Sequence, residues 1–408
     1  MSNILFILFH DFTSNSAYHV HSFANSLSEL GCSCAVVVPD AKHTIEAIGT
    51  APRYTHHEFA DFDRAPPLFP NGRGPDIVHC WTPREAVRRF YERTPYLHAA
   101  KLFIHLEDNE WEVAARTLNR SLGNLDLQTL DALIAPNLSH PIRARQFMER
   151  AHGVTVLMEK LKEMAPAGKP AVEIWPSADA ALYGPRPINW DGRERLGIAR
   201  ETTVIVYTGN VHAANATEVK SLYLAVAMLN REGHPALLIR TGRDFCPFLG
   251  DDAGWAHKAT IEFGFVERKA LAGILAMANL FVQPGRPGLF NDYRFPSKIP
   301  EFCAIGRPVI LPASNIGLAM RHLEDAYIVP QATATAIVEA VQNIRANPEL
   351  EQRLAAGAER FFTAKLCWRR SASKLLDFYH SERKGMTAPL LGPPPIDSPA
   401  PIVRNSKF

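Results

Sequence analysis

Apolar residues along the chain fall into two recurring patterns. Residues 4–9 form an unbroken apolar run, as a central parallel strand does when both of its faces are covered. After the polar loop 10–16, Val20, Phe23, Ala24, Leu27 and Leu30 recur at helical spacing, and Gly31 closes that helix. Residues 34–38 make the next strand, so the chain opens strand, loop, helix, strand, as a doubly wound domain does. Strands running into polar ends are predicted at 76–85, 102–110 and 131–137, and residues 51–75, rich in Pro, Asp and His, read as an irregular loop.

A second series begins at 204–212. Leu222, Ala225 and Leu229 mark its first helix, 236–243 and 260–266 its next strands, and Leu271, Ile274 and Leu275 another helix. Strands at 279–285 and 308–311 and helices near 332–345, 348–363 and 369–379 complete it. Such alternation predicts an α/β chain of two doubly wound, Rossmann-like domains. The expected division is 1–184, then 185–364 after Gly184-Pro185-Arg186-Pro187, a closing helix within 365–385, and a Pro-rich, disordered tail over 386–408.

Composition narrows the possible functions. A length of 408 residues is enough for two cores, and a net charge of +2 without a Lys/Arg-rich block argues against a nucleic-acid binder, leaving only weak peripheral attraction to anionic lipid. The six cysteines show no zinc spacing and read as free thiols of a reducing compartment. The first apolar run lacks a basic flank and a cleavage site, and no run of 18 apolar residues exists, so a cytoplasmic location is expected. No Gly-x-Gly-x-x-Gly follows the first strand, which argues against a dinucleotide cofactor.

Candidate chemistry gathers in two places. Residues 290–310 hold Asp292, Arg294, Lys298 and Glu301 around a short helix predicted from Ser297 to Gly306, whose free N–H groups would suit a phosphate. In the first half, a strand empties into His105, Glu107, Asp108 and Glu110, and ligands of open α/β sheets bind outside the C-terminal strand ends. The same carboxylates also suit the first turn of a following helix. His79 and Arg84 end the strand before it. Ser14, Asn15 and Ser16 suit either phosphate and hydroxyl binding or a plain N-cap.

Lys298 followed by 301–310 (Glu-Phe-Cys-Ala-Ile-Gly-Arg-Pro-Val-Ile), with Pro296-Ser297 ahead of it, resembles the donor-site helix of glycosyltransferase family 4. Segments 76–85, 172–179 and 204–220 resemble that family as well. The resemblance implies a GT-B fold: two Rossmann-like domains facing a cleft, with the closing helix crossing back to the first. It also implies a retaining transfer of a sugar from a nucleoside diphosphate sugar to an acceptor hydroxyl, with a glycan or lipid-linked acceptor and a place in polysaccharide biosynthesis. By the resemblance, Arg294, Lys298 and Lys220 would meet the diphosphate, Glu301 the ribose, and Asp292 and His105 the sugar. Gly209, Asn210, Gly264, Phe265 and Ser297 would line the donor site, and Ser14, Asn15, Ser16, Arg84 and Glu107 the acceptor side. The expected reaction needs no cofactor beyond its donor and no metal; Asp61-Phe62-Asp63 matches a metal-binding Asp-x-Asp pattern but lies in the predicted loop. The family carries two glutamates eight residues apart, and the first position here is Tyr293, with Asp292 adjacent. That departure keeps two rivals open, a nucleotide-sugar epimerase and a catalytically silent sugar-nucleotide-binding protein.

Overall fold

The apolar runs become the interiors of two all-parallel sheets in the computed structural model, which describes residues 2–64, 66–250 and 253–381. The first sheet contains β1 (Asn3–Leu8), β2 (Ser33–Val38), β3 (Thr55–Glu58), β4 (Ile77–Trp81), β5 (Lys101–Leu106), β6 (Gly153–Val156) and β7 (Ala171–Glu173), in the order β3-β2-β1-β4-β5-β6-β7. The second contains β8 (Thr203–Thr208), β9 (Ala236–Thr241), β10 (Thr260–Glu262), β11 (Leu280–Val282), β12 (Val309–Pro312) and β13 (Tyr327–Val329), in the order β10-β9-β8-β11-β12-β13. Every strand pair is parallel. In both sheets the order reverses beside the first strand, at β1/β4 and at β8/β11, and a ligand crevice opens at such switch points. Helices cover both faces, which is why β1 is buried along its whole length.

Two sequence expectations are corrected. Residues 131–137 are not a strand: Leu127–Leu133 is helical, and the Asp126 carboxylate accepts from Thr129 N at 2.8 Å to cap it. Leu130, Ile134 and Leu138, four apart, bury into a satellite cluster with Ala114 and Leu122, so the spacing was helical. The strand beside β5 is β6, too short and too glycine-marked to stand out. Residues 51–75 hold order as well. Thr55–Glu58 adds an edge strand to β2, with little side-chain signal because only its backbone joins the sheet, and Phe59–Arg64 follows as a 3₁₀ turn. There Asp61 is engaged by Lys42 Nζ at 2.8 Å and Glu58 N at 2.9 Å.

A final helix, Trp368–Ser381, packs along the helix Asn15–Glu29 of the first domain. Its inward face is Ala372, Leu375 and Tyr379, all fully buried. Ser371 Oγ donates to Trp175 O at 2.7 Å, and the Trp368 ring meets Tyr18, His19 and Phe23. The Pro-rich residues from 386 lie outside the described part. Among the described residues no helix is long and apolar enough to cross a membrane, and all six cysteines are free thiols.

Candidate active site

The second-domain half of the site lies at the β8/β11 switch point. β8 ends in Gly209, whose φ of 132° brings the backbone close to the next strand's turn. A Cβ there would stand 3.2 Å from Lys298 Cε and 3.4 Å from its Nζ. The Lys298 ammonium also lies 4.6 Å from the Tyr207 ring centroid and donates to Gln283 Oε1 at 3.4 Å. Burial and the neighbouring Arg294 charge pull its pKa down to about 7, against the opposing charges of Glu301 and Glu218. An anion beside the two cations would offset this repulsion.

The helix behind them spans Ile299–Ile305, seven residues ending at Gly306 in the left-handed region. Its start offers less to an anion than the sequence suggested. Ile299 N is bonded to Pro296 O at 3.0 Å, Phe302 N to Lys298 O at 3.0 Å, and Pro300 has no N–H. Positive charge at this site therefore comes from side chains. Glu301 is partly buried and its pKa is raised by burial, with Arg268 and Lys298 opposing; the Arg268 guanidinium sits 3.6 Å from its carboxylate. Arg268 in turn covers the Tyr18 ring of the first domain at 3.6 Å, so Glu301 lies where the domains meet.

The loop between β11 and that helix is braced from below. Asn291 Nδ2 donates to Glu218 Oε1 and to Arg286 O at 2.9 Å, and Asn315 Nδ2 donates to Asn291 O at 3.1 Å. Ser314 Oγ donates to Asp292 Oδ1 at 2.6 Å, which holds that carboxylate toward β12. Tyr293, at the family's first glutamate position, turns away and donates to Glu163 Oε2 of the first domain at 3.0 Å. Arg294 stacks on Phe290 at 4.7 Å, and Arg116 of the first domain covers the same ring at 4.9 Å.

Lys220 is not brought to this centre. Positions 218 and 220 of the helix Ala216–Arg231 are about 200° apart around its axis, and it is Glu218 that reaches Asn291. The Asn210 side chain is spent on the neighbouring turn after β9: its Oδ1 accepts from Arg243 N at 2.8 Å. Gly264 O accepts from Gly242 N at 2.6 Å, while Phe265 stands 67% exposed at the rim, covered by Arg243 at 5.1 Å. Ser297 lies partly buried in the turn ahead of Lys298.

The first-domain half is a hydrogen-bonded floor more than a set of free groups. Glu107 accepts from Ser16 Oγ and from Trp81 Nε1 at 2.8 Å, and pairs with His19 Nδ1 at 3.1 Å. Burial opposes its charge, yet His19, His105 and Ser16 hold its pKa at about 2. With three partners and its proton held off at neutral pH, it organises the site. Ser14 is a helix cap, accepting from Ala17 N at 3.1 Å, and Asn15 begins that helix. Arg84 is bound by Glu110 at 3.0 Å and lies over Phe9 at 3.9 Å. His79 is a core residue between Tyr379 and Thr155. His105 is fully buried, stacked on Trp81 with centroids 3.7 Å apart, and burial drives its pKa to about 3. It is a neutral imidazole and carries no proton-donating imidazolium at neutral pH. Asp108 is the carboxyl facing the other domain; burial, Glu110 and Glu107 push it up to about 6, against Arg294 and Arg84.

Sequence reasoning missed Glu218, Arg268, Gln283, Asn291 and Ser314. Gln283 ends a predicted strand and Glu218 opens the helix after a glycine turn, so position alone could have flagged both. The others are brought in by loops with no pattern.

Over residues 202–347 the chain matches the family model of glycosyl transferases group 1. No curated protein matches the chain by sequence. Among solved structures it is similar to HepE of Anabaena, crystallised with UDP and glucose, at TM-score 0.67 and 13% identity over 93% of this chain and 100% of that one. A sucrose-phosphate synthase from Thermosynechococcus elongatus gives TM-score 0.66 and 15% identity over 95% and 100%. TarM of S. aureus, crystallised with Fondaparinux, alpha-GlcNAc-glycerol and UDP, gives 0.64 and 8% over 93% and 100%. At these identities the likeness establishes the fold. The chain thus has the GT-B architecture along nearly its whole described length, and its second domain carries a segment, 202–347, similar to glycosyl transferases group 1.

Proposed function

We propose that the protein transfers a sugar from a nucleoside diphosphate sugar to an acceptor hydroxyl with retention of anomeric configuration. The observation that carries this reading is the Lys298 ammonium at the switch point, set against the Gly209 turn and the Tyr207 ring, with the Arg294 charge acting on it. Breaking a glycosyl–phosphate bond leaves a diphosphate while positive charge grows on the sugar, and fixed cations stabilise that leaving group without a metal. We assign Glu301 to the ribose hydroxyls, with exchange of its Arg268 partner accompanying that contact. Asp292, steadied by Ser314, and His105 face the sugar from opposite domains. We take the nucleotide to be a uridine diphosphate, in line with the UDP in HepE and TarM, and the acceptor to be a glycan or lipid-linked glycan in polysaccharide assembly, met in the cytoplasm and, where lipid-linked, with weak contact to a membrane surface.

A thermal-shift series with UDP, GDP, ADP and UDP-glucose tests the donor site, since a ligand of the native state raises Tm by linkage. A shift with one nucleotide, lost in Lys298→Ala, is the expected result. The absence of a shift with all four in the folded protein would end this reading. Binding with no transfer or hydrolysis of the matching sugar donor would leave the silent-binder alternative.

A further inference from the structure

We propose that Glu218 is a positioning residue for the donor site: by accepting from the Asn291 side chain it fixes the loop that carries Asp292 and Arg294. Glu218 stands in the first turn of the helix Ala216–Arg231, and the loop joins β11 to the helix Ile299–Ile305. Burial raises the pKa of this carboxyl, with the Asn291 hydrogen bond and the charges of Arg294, Arg286 and Lys298 opposing. A fixed negative charge among three cations weakens their hold on a diphosphate. What Glu218 brings to this place is therefore its capacity to accept a hydrogen bond.

Asn291 is the hub of the loop. It is buried, and its Nδ2 donates both to Glu218 Oε1 and to Arg286 O, the latter at 2.9 Å. The bond to Arg286 closes the loop on itself, and the bond to Glu218 ties the closed loop to the helix that follows β8. Gly285 seals the same contact. Its φ is 143°, and a Cβ there would lie 3.3 Å from Asn291 Nδ2 and 3.5 Å from Glu218 Oε1, so a glycine lets the loop begin this close to the carboxylate. Asn315 Nδ2 holds Asn291 O from the other side at 3.1 Å. The two side chains assigned to the donor follow at once: Asp292 N donates to Gly288 O at 2.9 Å, and Arg294 N to Asn291 O at 3.4 Å. Where Asn291 is held decides where both point. Without an acceptor at 218, one Asn291 hydrogen loses its partner in a buried place, which favours opening of the loop. The brace does not depend on what the site binds, whereas its bearing on a diphosphate rests on the nucleotide-sugar reading above.

Two measurements on the full chain separate the brace from the charge. Glu218→Gln and Glu218→Ala both remove the charge, and only the second removes the acceptor. In the ligand-free protein, amide hydrogen exchange over residues 285–294 should be about tenfold or more faster in Glu218→Ala than in Glu218→Gln, with β8 and β9 exchanging alike in the two. Equal exchange of that segment overturns the brace. Asn291→Ala, which keeps the carboxylate, should speed the segment to the same degree against the parent, and it carries the test should Glu218→Ala fold poorly; an unchanged segment there overturns the brace as well. The second measurement is calorimetric titration with UDP-glucose. Affinity should be about tenfold or more lower in Glu218→Ala than in Glu218→Gln, and the difference should shrink below about threefold once Asn291 is also replaced by Ala. Equal affinities of the two variants, or a difference that persists without Asn291, overturn the positioning role. A parent protein that does not bind UDP-glucose overturns the nucleotide-sugar reading and the donor role together, with the brace still read from exchange.

Discussion

Lys298 combines the needs of function with a cost in stability. Its pKa of about 7 in the folded chain lies below the ordinary 10.5, so between these values the unfolded chain holds more protons than the folded one. Stability therefore rises with pH from about 7 to about 10.5, and the penalty is full below 7. Replacing Lys298 by Met should raise the ligand-free Tm at pH 7 by about 2 °C or more and abolish the nucleotide-induced shift; a lower Tm would show that the ammonium is well solvated. Lys298→Ala should lower turnover about 10²-fold or more, and a loss under about threefold would remove it from the leaving-group role. A diphosphate favours the protonated lysine, so donor affinity should weaken as pH climbs above about 7, by up to tenfold per pH step. Calorimetric titration at pH 6, 7.5 and 9 with UDP-glucose checks this, because its diphosphate does not change charge over that range. Glu107 stands at the other extreme: Glu107→Ala strands Ser16, His19 and Trp81 without their shared acceptor and should cost about 3 kcal/mol or more, read by denaturant unfolding.

At the scale of elements, the turns of the second sheet are packed backbone on backbone. A Cβ on Gly242, where φ is 108°, would lie 2.3 Å from Gly209 O, whereas one on Gly209 would meet the flexible end of Lys298 at 3.2 Å and Tyr207 Oη at 3.9 Å. Gly242→Ala should therefore destabilise the domain by about 2–3 kcal/mol. Gly209→Ala is strained as well by its φ of 132° but meets no backbone, so it should destabilise less than Gly242→Ala and in addition cost nucleotide affinity by displacing the ammonium. Equal effects of the two on stability and on UDP binding would contradict this division. How legible an element was depended on how it is buried. Buried strands and amphipathic helices announced themselves by period. The helix at 127–133 was taken for a strand because Ala132, Leu133, Ile134 and Ala135 form a short apolar run, in which period cannot separate strand from helix. Edge strand β3 was missed because an edge needs no apolar side chains to join a sheet.

For the whole molecule, the final helix is the tie between chain end and first domain. Without it Phe23, Trp81 and Phe103, which share a core with Ala372, Leu375 and Tyr379, would face water. A chain ending at Lys365 should lose roughly 4 kcal/mol or more from the first domain, from the burial of Leu375 and Tyr379 alone. A separate low-temperature transition in calorimetry is the expected sign; an unchanged melt would mean that the helix is dispensable. Besides the Trp175 ring of the first domain on Phe295 and Phe361 of the second, contacts between the domains include polar and cationic ones: Arg268 on Tyr18, Arg116 on Phe290, Tyr293 to Glu163, and Asn109 Nδ2 to Leu289 O at 3.4 Å. Such contacts re-form at low cost, as a cleft that admits a substrate requires.

The sequence by itself determined the alternation of strands and helices, the two-sheet architecture and the stretch that holds Lys298 and Glu301. These follow from which residues bury, a local periodicity, and from a motif contiguous in the chain. Only the tertiary structure decided who meets whom. It put Glu218 at the centre where the sequence suggested Lys220, because the rotation of a helix about its axis is set by its packing. It turned Tyr293 out to Glu163 and held Asp292 on Ser314, gathered Ser16, His19 and Trp81 on Glu107, and buried His105 as a neutral ring. These arrangements depend on partners distant in the chain, 73 residues away for Asn291 on Glu218, 91 for Ser16 on Glu107 and 130 for Tyr293 on Glu163. Burial and hydrogen-bond partners set a side chain's charge and direction, and neither is written in its near neighbours along the sequence.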